Sequence, residues 1–259
     1  MLGKRRPKLD QIRLHEGLAD VRTKSRRIGY DATTRGEADE MQIGATAKRG
    51  HTQARGRARR QALLEAARLL LSELPLDQIS LPMVAERAEI PPSSTYHFYP
   101  DLKELFKDVA RAVSVEMLER GPLPGRPAQW EDLVQRTLVT YGKFFNADGA
   151  ARQLMLGSQT PPAIKHAACK EDGRFGEALR ELINEYFVLP ETLNSAPVFF
   201  RAIQIADVMF SLSVADHDRI TEEFLDEAVN ATSAYLGLYL PKILPRRTPR
   251  ASPVLVASR

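Results

Sequence analysis

The chain has 259 residues, 43% hydrophobic and 27% charged, which suits a soluble protein of one or two domains with a substantial core. Its one cysteine, Cys169, excludes an intrachain disulfide and a cysteine zinc site, and a reducing cytoplasm is the expected compartment. The net charge of +4 hides an asymmetry: residues 1–60 hold 16 Lys+Arg against 7 Asp+Glu, and the remainder 21 against 26. A basic arm beside an acidic body is the charge pattern of a nucleic-acid binder.

Residues 1–56 carry few apolar side chains and no sustained periodicity, and read as a disordered basic extension. Within it Met41 offers an alternative start, after which a short arginine-rich arm remains. The first helix is expected from about Arg57 to Leu74, where Leu63, Ala66, Ala67, Leu70 and Leu74 form one stripe that Pro75 ends. Ser80 is placed to cap a second, short helix carrying Met83, Val84 and Ala88. Pro91 and Pro92 suit the entry of a third, because proline fits a first helical turn. That third helix carries Ser93, Ser94, Thr95, Tyr96 and His97. All five can reach phosphate oxygens or base edges, so this face suits a nucleic-acid groove better than a core. Asp101, with Glu104 three residues on, opens a fourth helix whose apolar side is Leu105, Phe106, Val109, Ala112 and Val113.

From about Ala58 to Ala112 the chain resembles the helix-turn-helix domain of TetR-family transcriptional regulators. The resemblance is carried by Ala88, Ile90, Ser93, Ser94, Tyr96 and Leu105 at the family's spacing, with Tyr99 at the family's phenylalanine position. Glu89 stands where the family has a turn glycine, Pro91 and Pro92 are further departures, and Leu102 stands in place of the usual lysine with Lys103 beside it. The resemblance implies an all-α protein: a three-helix helix-turn-helix domain joined by a bridging helix to a helical ligand-binding and dimerisation domain. It implies a ligand-responsive repressor that binds a palindromic operator in double-stranded DNA as a homodimer. Tyr96, His97, Ser80, Lys103, Arg57 and Arg60 are then expected at phosphates, and Pro91, Pro92, Ser93, Ser94 and Thr95 at or beside base edges. The alternative is a helical ligand-binding or scaffold protein whose helix-turn-helix no longer reads DNA.

The stretch 121–127 (GPLPGRP) separates this domain, 57–120, from an all-helical one at 121–241. Trp130, Leu133, Val134, Thr137, Leu138, Tyr141 and Phe145 recur at helical spacing. Asp148 is placed to cap a short helix that Gly157 closes. Pro161 and Pro162 start the next, in which Gly173 and Gly176 predict a break near 173. The segment 197–215 is apolar on most sides, with Arg201, Gln204, Asp207 and Ser211 as a narrow polar stripe; those charges argue against a membrane span. The last helix starts at Thr221, with Ile220 and Leu225 placed as a hydrophobic staple and Glu222 and Glu223 in its first turn. Two such apolar helices, 197–215 and 221–240, predict the homodimer interface. From the resemblance, a small effector of unknown identity would sit in this domain, with Phe144, Met155, His166, Phe175, Arg201 and Gln204 as candidate contacts. The tail from Lys242 to 259 reads as loose.

Enzyme motifs are missing: there is no G-x-S-x-G elbow, H-E-x-x-H, phosphate loop or dinucleotide glycine pattern. The five histidines are scattered without a partner at ligand spacing. No cofactor, metal, membrane partner or catalysis is therefore expected.

Overall fold

The computed structural model describes the backbone of residues 33–121, 125–191 and 193–247, and side chains from 53 onward within those ranges except 166–172. The readings for 1–32, for the side chains of His166 and Cys169, and for 248–259 lie outside the described residues. The chain divides into two units, Met1–His51 and Thr52–Arg259. Helix α1 spans Thr33–Glu73, which corrects the expectation of disorder for 33–56. Thirteen of the 24 residues at 33–56 are the helix formers Ala, Arg, Glu, Gln, Met or Lys, against four glycines and four threonines, and extending a helix needs no fresh nucleation.

Everything further belongs to the second unit. Leu63, Ala66, Ala67 and Leu70 of α1 are buried as their spacing requires, and a single turn of 3-10 helix, Leu76–Gln78, follows Pro75. Helix α2 (Leu81–Arg87) starts after Ser80, whose side chain makes no capping bond. Between α2 and α3 (Pro92–Phe98) the chain reverses through Glu89, which sits at φ +54°. The Ile90 amide donates to the Ala85 carbonyl and the Glu89 amide to Glu86, each at 3.0 Å, which is a Schellman turn built without glycine. Asp101 caps α4 (Leu102–Arg120) by accepting from the Glu104 amide at 2.9 Å.

The second domain is built from α5 (Trp130–Ala147), the short α6 (Gly149–Ala151), a π-helical turn (Arg152–Leu156), α7 (Pro162–Tyr186), α8 (Ser195–His217) and α9 (Glu222–Gly237). Asp148 caps α6, accepting from the Ala151 amide at 2.8 Å. Helix α7 is continuous, which corrects the expected break near Gly173. The reason lies at Gly176: a Cβ there would stand 2.8 Å from the Phe200 amide nitrogen and 2.9 Å from the Phe199 carbonyl carbon. The glycine serves close helix packing, not a kink. Helix α8 is long and apolar enough to cross a membrane by composition, but it is packed between α7 and α9, with Val198, Phe199, Ala202, Ile203, Ala206 and Phe210 buried.

The tail is held as far as Arg247, which corrects the reading of a loose segment from Lys242. Its backbone bridges to the end of α7: Val188 donates to the Pro245 carbonyl and Arg247 to the Tyr186 carbonyl, both at 2.8 Å. The Trp130 indole N–H donates to the Pro241 carbonyl at 3.0 Å, and Arg246 reaches the Ala128 carbonyl at 2.7 Å. Leu244 is buried beneath this strap.

A left-handed residue other than glycine costs about 1–2 kcal/mol, partly offset by the greater unfolded-state freedom of glycine. Glu89→Gly is expected to raise stability by roughly 0.5–1 kcal/mol, read as a higher urea midpoint at unchanged slope.

Candidate nucleic-acid interface and ligand cavity

Helix α3 presents Pro92, Ser93, Tyr96 and His97 to solvent, with Tyr96 52% exposed and Ser94 at the margin. Pro91 and Lys103 are also exposed, and Ser80 is half-buried. Thr95 is fully buried and its hydroxyl turns back to the Pro91 carbonyl at 3.4 Å. It packs the helix onto the domain and offers nothing to a base edge, which corrects its expected role. Residues 93, 96 and 97 share the outer face of the helix, whereas 95 lies opposite them at 3.6 residues per turn.

Tyr99 ends α3 and is itself buried. Its hydroxyl donates to Asp108 of α4 at 3.0 Å and accepts from Nε of Arg60 on α1, also at 3.0 Å. Arg60 also donates to Asp108, and its guanidinium lies 5.3 Å from the Tyr99 ring centre. Arg111 donates to the same carboxylate at 2.6 Å. Three helices of the domain are thereby tied at one carboxylate. Burial pushes the Tyr99 phenol up to about 12, and the Asp108 charge pushes the same way against the pull of Arg60. Burial opposes the Asp108 charge, but the bonds from Arg60 and Tyr99 outweigh it and hold the carboxyl below the usual range. Arg60 thus has an intramolecular role although, like Arg57, it is exposed. Arg87 is similarly engaged, in a two-pronged pair with Glu73.

A second set of polar contacts joins the two domains. Arg68 of α1 donates through Nε to Asp148 at 2.8 Å and through a terminal nitrogen to Glu116 of α4 at 2.6 Å. Burial works against the Arg68 charge; its two carboxylate partners overcome this and hold the guanidinium above its ordinary value. Gln153 of the π-helical turn accepts from the Leu76 amide at 2.8 Å and donates to the carbonyls of Leu71 at 2.5 Å and Leu74 at 2.9 Å. Neither Arg68 nor Gln153 stood out in the sequence, because their partners lie 48 to 82 positions away.

Inside the second domain is a small, partly open apolar cavity of about 20 Å³, room for about one water molecule. Its walls include Met117 of α4, Tyr141 and Phe145 of α5, Met155 of the π-helical turn, Phe175 of α7, and Ala206, Asp207 and Phe210 of α8. Tyr141 and Phe175 meet edge to face, 5.3 Å between centres, and burial keeps the Tyr141 phenol protonated far above neutral pH. Of the candidate effector contacts, Met155 and Phe175 line this space. Phe144 does not: it is buried against Arg120, whose guanidinium stands 4.6 Å from its ring centre, and the next residue, Phe145, faces the cavity instead. Arg201 is exposed and Gln204 half-buried, both off the cavity, while Asp207 reaches it. The roughly 100° turn between successive helical residues accounts for these misassignments. Among the described residues no cluster of three or more His, Cys, Asp or Glu could hold a metal ion.

Because the native carboxyl of Asp108 is held below its unfolded value, its contribution is full above the ordinary carboxylate range. It is lost as pH falls through the depressed native value. Asp108→Asn is expected to cost about 1–2 kcal/mol at pH 7. The gap to the native chain should close as unfolding is followed down to about pH 2, where both chains carry a neutral group.

Residues 128–239 match the family model described as Tetracyclin repressor-like, C-terminal domain. No curated protein matches the chain. A TetR-family transcriptional regulator from Streptomyces coelicolor has a similar structure, at 22% identity and a TM-score of 0.53 over 71% of this chain and 98% of that one. A TetR transcriptional regulator from Rhodococcus sp. RHA1 aligns at 19% identity and a TM-score of 0.55 over 70% and 96%. RolR in complex with resorcinol aligns at 14% identity and a TM-score of 0.50 over 70% and 88%. The domain recognised by resemblance was the helix-turn-helix; the family match falls on the other one, where only a helical pattern was legible. Residues 128–239 thus match a tetracyclin repressor-like C-terminal domain, and the chain has the two-domain helical fold of the TetR-family structures it aligns with.

Proposed function

We propose that this protein is a ligand-responsive repressor that binds a palindromic operator as a homodimer. The observation that carries the reading is the outer face of α3, where Pro92, Ser93, Tyr96 and His97 stand exposed on a helix whose inner side is locked by Thr95 and Tyr99. A rigid, polar, outward helix is the form a major-groove reader needs. Dimerisation through α8 and α9 is supported by Val208 and Leu212, one turn apart on α8 and 53% and 48% exposed. A second copy would cover that stripe. The small apolar cavity supports an effector that widens it on entry, and resorcinol held by RolR is a precedent for a one-ring ligand in this fold. Such a protein acts in the cytoplasm, without catalysis, by a binding equilibrium alone.

A second reading has one observation in its favour. Glu86, Glu89 and Asp101 are exposed around α3, while Arg60 and Arg87 are engaged by Asp108 and Glu73. That acidic rim suits a helix-turn-helix that has lost DNA binding.

Binding of the full chain to duplexes selected from a random pool separates the two. Under the first reading Tyr96→Ala and His97→Ala weaken binding about equally on all selected sequences. Arg57→Ala lowers the salt dependence by about one released counterion. Ser93→Ala relaxes preference at one base pair, by about 1–3 kcal/mol. Folded dimer that selects no duplex at low salt would establish the second reading instead.

A further inference from the structure

Gln153 occupies an unusual place. Its carboxamide uses both faces on one target, the C-terminal end of α1. The Leu71 carbonyl belongs to the last turn of α1, where a helix leaves acceptors without internal partners, and the Leu74 carbonyl to the residue just after it. The Leu76 amide opens the next turn. Gln153 therefore caps the end of α1 from the other domain. Gly149, four residues earlier, is packed so closely there that a Cβ would stand 2.9 Å from the Ser72 Cα. The end of α1 is seated on the segment 148–153 by both shape and hydrogen bonding.

The same segment reaches the cavity. Gln153 lies in the π-helical turn Arg152–Leu156, two residues before Met155, which lines the cavity wall. The turn is closed at Gly157, where a Cβ would collide with the Gln153 carbonyl, and Thr160 donates its hydroxyl to that carbonyl. A π turn holds one residue more than an α turn, so it has a discrete alternative: relaxation to α geometry rotates the residues around it by about 100°. A device with two arrangements, rather than a continuously deformable one, is what coupling between sites requires.

We propose that Gln153 is the positioning residue that couples the cavity to the helix-turn-helix domain. Occupancy of the cavity displaces Met155, the π-helical turn changes register, and Gln153 leaves the end of α1. The α1 end, and the α2–α3 pair that follows it, then lose their seat on the second domain. This rests on the ligand-responsive reading above.

The test uses the full chain and a duplex selected with it, and replaces an unidentified effector by filling the cavity genetically with Ala206→Met or Ile203→Phe. Filling is expected to weaken duplex binding roughly fivefold or more and to speed hydrogen exchange at the Leu76 amide. In a Gln153→Leu background the same filling is expected to change duplex affinity less than about twofold, a non-additivity that a merely stabilising glutamine would not give. Equal weakening in both backgrounds, or unchanged Leu76 exchange, overturns the role of Gln153 and leaves ligand response standing. Filling that leaves affinity unchanged in the native background overturns ligand response through this cavity, and the coupling with it. Should Gln153→Leu fail to fold, Gly157→Ala strains the same turn with the cavity intact. It is expected to weaken duplex binding and speed Leu76 exchange together, and no change in either overturns the proposal.

Discussion

One helix must serve two domains, and the rest of the molecule follows from that demand. Helix α4 buries Leu105, Phe106, Val109, Ala110, Val113, Ser114 and Met117 along its length, and its apolar members join the residues of both domains in one continuous core. An apolar stripe on a straight helix can face two partners in succession only if those partners lie side by side along it. The end of α1 and the α6 segment therefore meet across α4. Their polar groups lose water there, and each must find a protein partner. Arg68 with Asp148 and Glu116, and Gln153 with the carbonyls of Leu71 and Leu74, are those partners. The polar junction between the domains follows from sharing one helix.

The helices themselves were legible because they answer to local rules. Leu63 to Leu70, Asp101, Asp148 and Pro162 all occupy the places that periodicity, capping and proline geometry give them. What escaped is rotational or distant. Thr95 and Phe144 each lie on the side of their helix away from the expected face. A segment of seven residues such as α3 has too few turns for its inner face to declare itself. Gly173 and Gly176 read as a weak point because a sequence does not show what approaches a missing side chain, here the backbone of α8.

The candidate site divides in the same way. The outer face of α3 could be found because polar residues in a short helix between apolar ones have a chemical reason to be there. The cavity could be found only in part, at Met155 and Phe175, because its walls come from five separate elements and an apolar wall residue looks like any core residue. The tail from 242 to 247 has turn-forming and charged residues and reads as loose, yet its backbone finds partners at the end of α7 that no local pattern announces.

Trp130 is the only tryptophan in the chain, buried at the start of α5 and tethered through its indole to the Pro241 carbonyl. The protein thereby carries one tryptophan fluorophore beside its seven tyrosines, and that indole sits where the segment at Pro241 closes onto the second domain. Its emission colour reports whether this closure is dry or wet and is blind to the helix-turn-helix, whereas far-ultraviolet dichroism sums over both domains. Overlaid melting curves from the two signals would therefore resolve whether the halves that share α4 come apart as one cooperative unit or in sequence.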